Sequence, residues 1–100
     1  MLKNAQIGQV LGPFSAGVDL LDDNQAIGNF TPEKTRPEIY KIGIQTATGT
    51  LVQINGRTIK IGKTGIYELD GIIRIKSLIF PNGASSDTIV DFIYLGDMSY

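Results

Sequence analysis

Beyond Pro37 nearly every segment of this chain alternates apolar and polar residues: "EIYKIGIQTA", "TLVQI", "RTIKIG", "GIYEL", "GIIRIKSLIF" and "DTIVDFIYLGD". Successive side chains of a strand point to opposite faces, so a period of two predicts sheets with one wet and one dry face, and the crowding of β-branched residues agrees. Turn chemistry divides the run. Asn55-Gly56 and Asp70-Gly71 each sit between two alternating segments and tolerate the positive φ of two-residue hairpins, which predicts a hairpin at both. "TATGT", "GKTG" and "PNGASSD" supply three further reversals. Strands are predicted over residues 39–47, 50–54, 57–62, 66–69, 72–80 and 88–96. One flat sheet of these would leave an apolar face bare. The expected fold is all-β, an antiparallel β-sandwich or small barrel of about six strands with an extended N-terminal arm.

The faces follow from the same period. In "GIIRIKSLIF", Ile73, Ile75 and Ile79 form the core set, and Arg74 and Lys76 share the opposite face with Ile72. In "TIVDFIYLGD", Val90, Phe92 and Tyr94 oppose Ile89, Asp91, Ile93 and Leu95, so both faces are apolar. Such a strand is central, or is covered from outside the sheet. The N-terminal arm is a candidate cover.

Residues 1–37 are read as that arm and 38–100 as the antiparallel β domain. Ile7, Val10, Leu11, Phe14, Val18, Leu20 and Leu21 are too many apolar residues for a solvated tail, while Gly8, Gly12, Pro13 and Gly17 break any long helix. Such an arm wraps its own domain or lies on a neighbouring subunit. The second possibility makes those seven residues the candidate partner interface. The strands from Ile39 onward carry their own alternating core, which predicts that they stay folded without the arm.

The 100 residues contain no His and no Cys. That removes Ser-His and Cys-His nucleophile pairs, thiolate metal sites and the commonest zinc ligand, so an enzyme, a cofactor or a bound metal is not expected. A formal net charge of −1 gives no global attraction to nucleic acid. No stretch approaches the roughly 20 consecutive apolar residues of a membrane helix, and the N-terminal "MLKNAQIGQVLGPF" lacks the form of a secretory signal. Carboxylates two apart at Glu68 and Asp70 suit acid/base chemistry only beside a pocket, and a solvated strand edge accounts for them. Asp19, Asp22, Asp23 and Asn24 lack the spacing of a calcium loop and predict a polar turn. Arg57, Lys60, Lys63, Arg74 and Lys76 surround a single aromatic, Tyr67, whereas a single-strand nucleic-acid platform needs several.

"GRTIKIGKTG", residues 56–65, ends like a phosphate-binding loop in Gly62, Lys63 and Thr64. Gly56 stands one residue too far away, Ile59 and Ile61 alternate as in a strand, and a β-prone segment follows where a helix N-terminus is required. The segment predicts a tight turn between Gly62 and Gly65, with Lys63 at its exposed tip and the Thr64 hydroxyl satisfying a turn backbone group. Nucleotide binding is not expected.

The residues "INGRTIKIGKTGIYELDGIIRIKSLIFPNGASSDTIVDFIYLGD" resemble the C-terminal β-rich portion of small structural proteins of tailed bacteriophages and prophages, in which "NG…I-x-I-G-[KR]-T-G-[IM]-[YF]-E-L" precedes strands ending near "DF-x-Y". The likeness covers about the last half of the chain and contains no catalytic signature. It implies a virion component of head, neck, tail or baseplate, soluble in the host cytoplasm before assembly, whose partners are other copies of itself and other virion proteins. The alternative is a binding module for carbohydrate or another host-surface ligand, using the loop at residues 81–87.

Overall fold

Alternation becomes two antiparallel sheets. A computed structural model describes residues 3–22, 24–30 and 38–97. Among these, the strands are β1 (Lys3–Leu11), β2 (Glu38–Gln45), β3 (Leu51–Ile54), β4 (Arg57–Lys60), β5 (Ile66–Ile75), β6 (Leu78–Ile79) and β7 (Ile89–Asp97). A four-stranded sheet has the order β1-β7-β2-β5 and a three-stranded sheet the order β4-β3-β6. The only helical turn among the described residues is a 3-10 turn at Gly28–Phe30.

The all-β, antiparallel expectation holds, and the registers explain which residues are dry. Directly opposed residues of neighbouring strands share a face. Val10, Val90, Ile44 and Tyr67 form one row across the larger sheet, and Gly8, Phe92, Ile42 and Leu69 form the next. Val10, Val90, Ile44, Phe92 and Ile42 in these rows are buried, and Tyr67 and Leu69 pack against the same cluster. Val52 and Ile54 from β3 and Leu78 from β6 belong to it too, so both sheets contribute to one core. As expected, β7 is central, Ile75 is buried, and Arg74 and Lys76 are exposed. The side chains of Ile72, Ile73 and Leu95 lie outside the described residues.

The two Xaa-Gly dipeptides behave differently. Asn55 and Gly56 have φ of 51° and 84°, and Ile54 faces Arg57 across them, so the first hairpin is present. Gly56 is needed there because positive φ strains most side chains. At Asp70-Gly71 no reversal occurs, contrary to the sequence expectation. β5 runs straight through from Ile66 to Ile75, and its register against β2 jumps from Lys41↔Asp70 to Ile39↔Ile75. The extra residues form an irregularity in one strand, the alternative use of a turn-prone dipeptide within a sheet. The predicted strand 72–80 is correspondingly split between β5 and β6.

The N-terminal segment is woven into the fold, which corrects the picture of a separable arm. β1 pairs with β7 over nine residues, Lys3↔Asp97 to Leu11↔Ile89. The chain then crosses towards the second sheet, through a cis Gly12-Pro13 peptide. Phe14 stacks on Phe80 with ring centroids 5.4 Å apart, and its backbone exchanges two 3.0 Å hydrogen bonds with Ala84. Asp19 then fixes the next stretch. Its Oδ1 accepts the N–H groups of Leu21 and Leu78, each at 3.1 Å, while the Leu20 N–H donates to the Leu78 carbonyl at 2.8 Å. Leu20, Leu21 and Ile27 are thereby buried in the core.

A side-chain bridge ties the sheets together. The Asn55 side chain at the β3–β4 turn accepts from the N–H groups of Lys76 (2.6 Å) and Ser77 (3.2 Å) and donates to the Arg74 carbonyl (2.9 Å). In the interior, the Thr46 and Thr88 hydroxyls pair with each other at 2.7 Å, which satisfies two buried polar groups that alternation alone would leave exposed to apolar surroundings.

Candidate functional site: the outer face of the four-stranded sheet

The same registers that bury one face of the larger sheet define the other. Leu11, Ile89, Gln45 and Ile66 form its first outer row, and Gln9, Asp91, Gly43 and Glu68 its second. Ile7, Ile93 and Lys41 continue in the third. Among the described residues, the large hydrophobic side chains left most exposed are Ile7 (82%), Leu11 (62%) and Ile66 (52%). All of them lie on this face. Single exposed apolar residues are ordinary, whereas a group gathered on one surface marks an interaction site.

Gly43 shapes the surface. It lies in the middle of β2, flanked in register by Asp91 on β7 and Glu68 on β5, and a Cβ added to it would meet nothing within 4 Å. The missing side chain leaves an open trough of about 560 Å³ lined by Ile7, Lys41, Gly43, Glu68, Asp91 and Ile93, with Ile42 and Phe92 at its floor. Apolar walls of Ile7 and Ile93 thus stand beside two exposed carboxylates and one lysine. Asp91 is oriented by the Gln9 side chain, whose Nε2 donates to Oδ1 at 2.7 Å. The trough can accept apolar side chains and offers ionic partners at its rim.

The seven residues of the sequence-based interface separate cleanly. Val10, Phe14, Leu20 and Leu21 are buried in this chain's own core, so they cannot also form an outer surface. Ile7 and Leu11 are exposed on the outer sheet face, and Val18 is half-buried outside the sheets. Ile66, Ile89, Ile93 and Gly43 are surface residues that sequence reasoning did not assign. The signal for two of them was present in β7, whose apolar residues on both faces include Ile89 and Ile93.

Other sequence candidates occupy structural positions. The segment after Gly62 is the expected tight turn: the Gly65 N–H donates to the Gly62 carbonyl at 3.0 Å, and the Thr64 Oγ1 accepts the Ile66 N–H at 3.3 Å. Lys63 is exposed at the tip, and β5 follows where a phosphate loop needs a helix. Asp19 forms an isolated β-bridge with Ile79, Asp22 lies in a bend where its N–H donates to the Asp19 carbonyl at 3.1 Å, Asn24 has φ of 64°, and Asp23 lies outside the described residues. No group of three or more His, Cys, Asp or Glu among the described residues could hold a metal ion. Glu68 is exposed at the trough, and the side chain of Asp70 lies outside the described residues.

Of the basic residues, Arg57 and Lys60 lie on β4, Lys63 in the turn, Arg74 on β5 and Lys76 just beyond it. Tyr67 turns inward from them and packs on the core. It borders a smaller crevice of about 230 Å³ between Ile54, Ile59, Leu69 and Arg57. The 81–87 loop is fastened to Phe14 by the Ala84 bonds, and the nearby aromatics Phe14 and Phe80 are buried in the core rather than presented to a sugar. No helix among the described residues is long and apolar enough to cross a membrane.

No protein-family model, curated protein or solved structure matches this chain.

Proposed function

We propose that this protein is a non-enzymatic assembly module whose contact surface is the outer face of the four-stranded sheet. The observation that carries the reading is the gathering of Ile7, Leu11 and Ile66 on one face around the side-chain-free position Gly43. Covering that face removes exposed apolar surface from water, at about 25 cal/mol per Å² of apolar area. The resemblance of the last half of the sequence to structural proteins of tailed bacteriophages supports a place in a virion, among copies of itself and other virion proteins.

Gly43 supplies the test. A Cβ there meets nothing within 4 Å, and a lysine carries charge into the middle of the trough. Light scattering of the full chain over rising concentration should show growing assemblies for the wild type and for Lys63→Ala, and none larger than a dimer, with unchanged fold, for Gly43→Lys. Undiminished association of Gly43→Lys contradicts the assignment of the contact to this face.

A further inference from the structure

The two edges of the larger sheet are unequal, and the difference identifies a partner. β5, at one edge, carries Glu68, Asp70 and Arg74 along its length and an irregular register against β2. Its Arg74 carbonyl is already taken by the Asn55 side chain. Charges, irregularities and coverage are the usual protections of an edge strand. β1, at the other edge, reads KNAQIGQVL, with a single charge, no proline and an unbroken register against β7 over all nine residues. Its one charge, Lys3, stands at its end, and among the described residues no strand or bridge pairs with its outer edge.

Backbone direction adds the second step. The Gly12 N–H donates to the Thr88 carbonyl at 2.7 Å, just beyond the Leu11↔Ile89 pair. N–H and C=O directions alternate along a strand, so Gln6, Gly8 and Val10 point theirs at β7, and Ile7, Gln9 and Leu11 point theirs at the open edge. The residues with outward backbone groups are the ones whose side chains lie on the apolar outer face.

We infer that β1 pairs antiparallel with β1 of a second copy of this chain about a two-fold axis, joining two four-stranded sheets into one. The inference rests on the proposed assembly role and goes beyond it, adding to the outer face a contact along the sheet edge beside it. A second copy fits for a geometric reason: a single competent edge on the larger sheet closes a symmetric pair, whereas two would propagate a fibre. Ile7 is the midpoint of β1, so full overlap of the nine residues sets Ile7 opposite Ile7 of the partner subunit. Outward N–H and C=O groups of Ile7, Gln9 and Leu11 then find strand partners, and the two outer faces become continuous.

The test uses the full chain in three forms, wild type, Ile7→Lys and Ile7→Glu. Ile7 is 82% exposed, so each variant keeps the wild-type circular dichroism spectrum and a cooperative melt. Like charges directly opposite oppose pairing, and opposite charges restore it. Sedimentation should give a wild-type dimer, two monomeric variants, and a dimer when Ile7→Lys and Ile7→Glu are mixed. Residue-resolved amide exchange should slow by about tenfold or more at Ile7, Gln9 and Leu11 in the wild type relative to Ile7→Lys, as formation of stable backbone bonds requires. A wild-type dimer in which these three amides exchange as fast as in the monomer overturns edge pairing and leaves the outer-face reading standing. A monomer at every concentration overturns self-association altogether.

Discussion

The two faces of the β1-β7-β2-β5 sheet are built by the same strands and differ by a shift of one residue. On the inner face Phe92, Ile42, Val90 and Ile44 are buried in the core. On the outer face Ile7, Ile66, Ile89 and Ile93 look outward around a glycine. Apolar residues on one side of a sheet account for its folding, and the isoleucines among the polar residues of the other side are surplus to that need. Alternate residues of one strand therefore face the core and the surface, so single substitutions separate stability from the proposed association.

The largest expected effect comes from removing residues 1–37. That deletion takes away Val10, Phe14, Leu20, Leu21 and Ile27, all buried. Each is worth roughly 1.5–3 kcal/mol when fully buried, against a total stability of about 5–15 kcal/mol for a typical domain. The shortened chain should lose its cooperative melt by circular dichroism. Retention of a native melt would show that the inner face does not need β1 and its following loop.

Next in size is Phe92→Ala on the inner face. Truncating a buried Phe costs about 3–5 kcal/mol, and a denaturant titration should show it. A smaller loss is expected from Gly65→Val. Gly65 has φ of 69°, and a Cβ there would lie 2.6 Å from the Thr46 carbonyl oxygen. Backbone strain of that kind costs on the order of 1–3 kcal/mol. The smallest effect belongs to the outer face. Ile66→Lys should change unfolding stability by no more than about 0.5 kcal/mol, as exposed substitutions do, while weakening association. An equal loss of stability for Phe92→Ala and Ile66→Lys would abolish the distinction between the faces.

Much of this arrangement was legible in the residues. Period two marked the strands, Asn55-Gly56 marked a real hairpin, and Ile75 against Lys76 marked dry and wet faces correctly. Asp70-Gly71 misled because a turn-prone dipeptide also suits a break within a strand, and only the pairing of β5 with Lys41 and Ile39 decides between them. The role of β1 was hidden for a related reason. "KNAQIGQVL" is rich in residues with weak strand preference, and its pairing with β7 spans almost the whole chain, from Lys3 to Asp97. The outer face depends on registers between strands distant in sequence, so Gly43, Ile66 and Ile93 could not be brought together by local pattern alone.

Isoleucine-methyl NMR of the wild-type chain over a concentration series tests the central claim most directly, because both faces carry isoleucines. The methyl signals of Ile7, Ile66, Ile89 and Ile93 should shift or broaden as copies associate, while those of Ile42, Ile44 and Ile75 stay fixed. Shifts confined to the inner-face isoleucines, or to Ile54 and Ile59 of the smaller sheet, would contradict it.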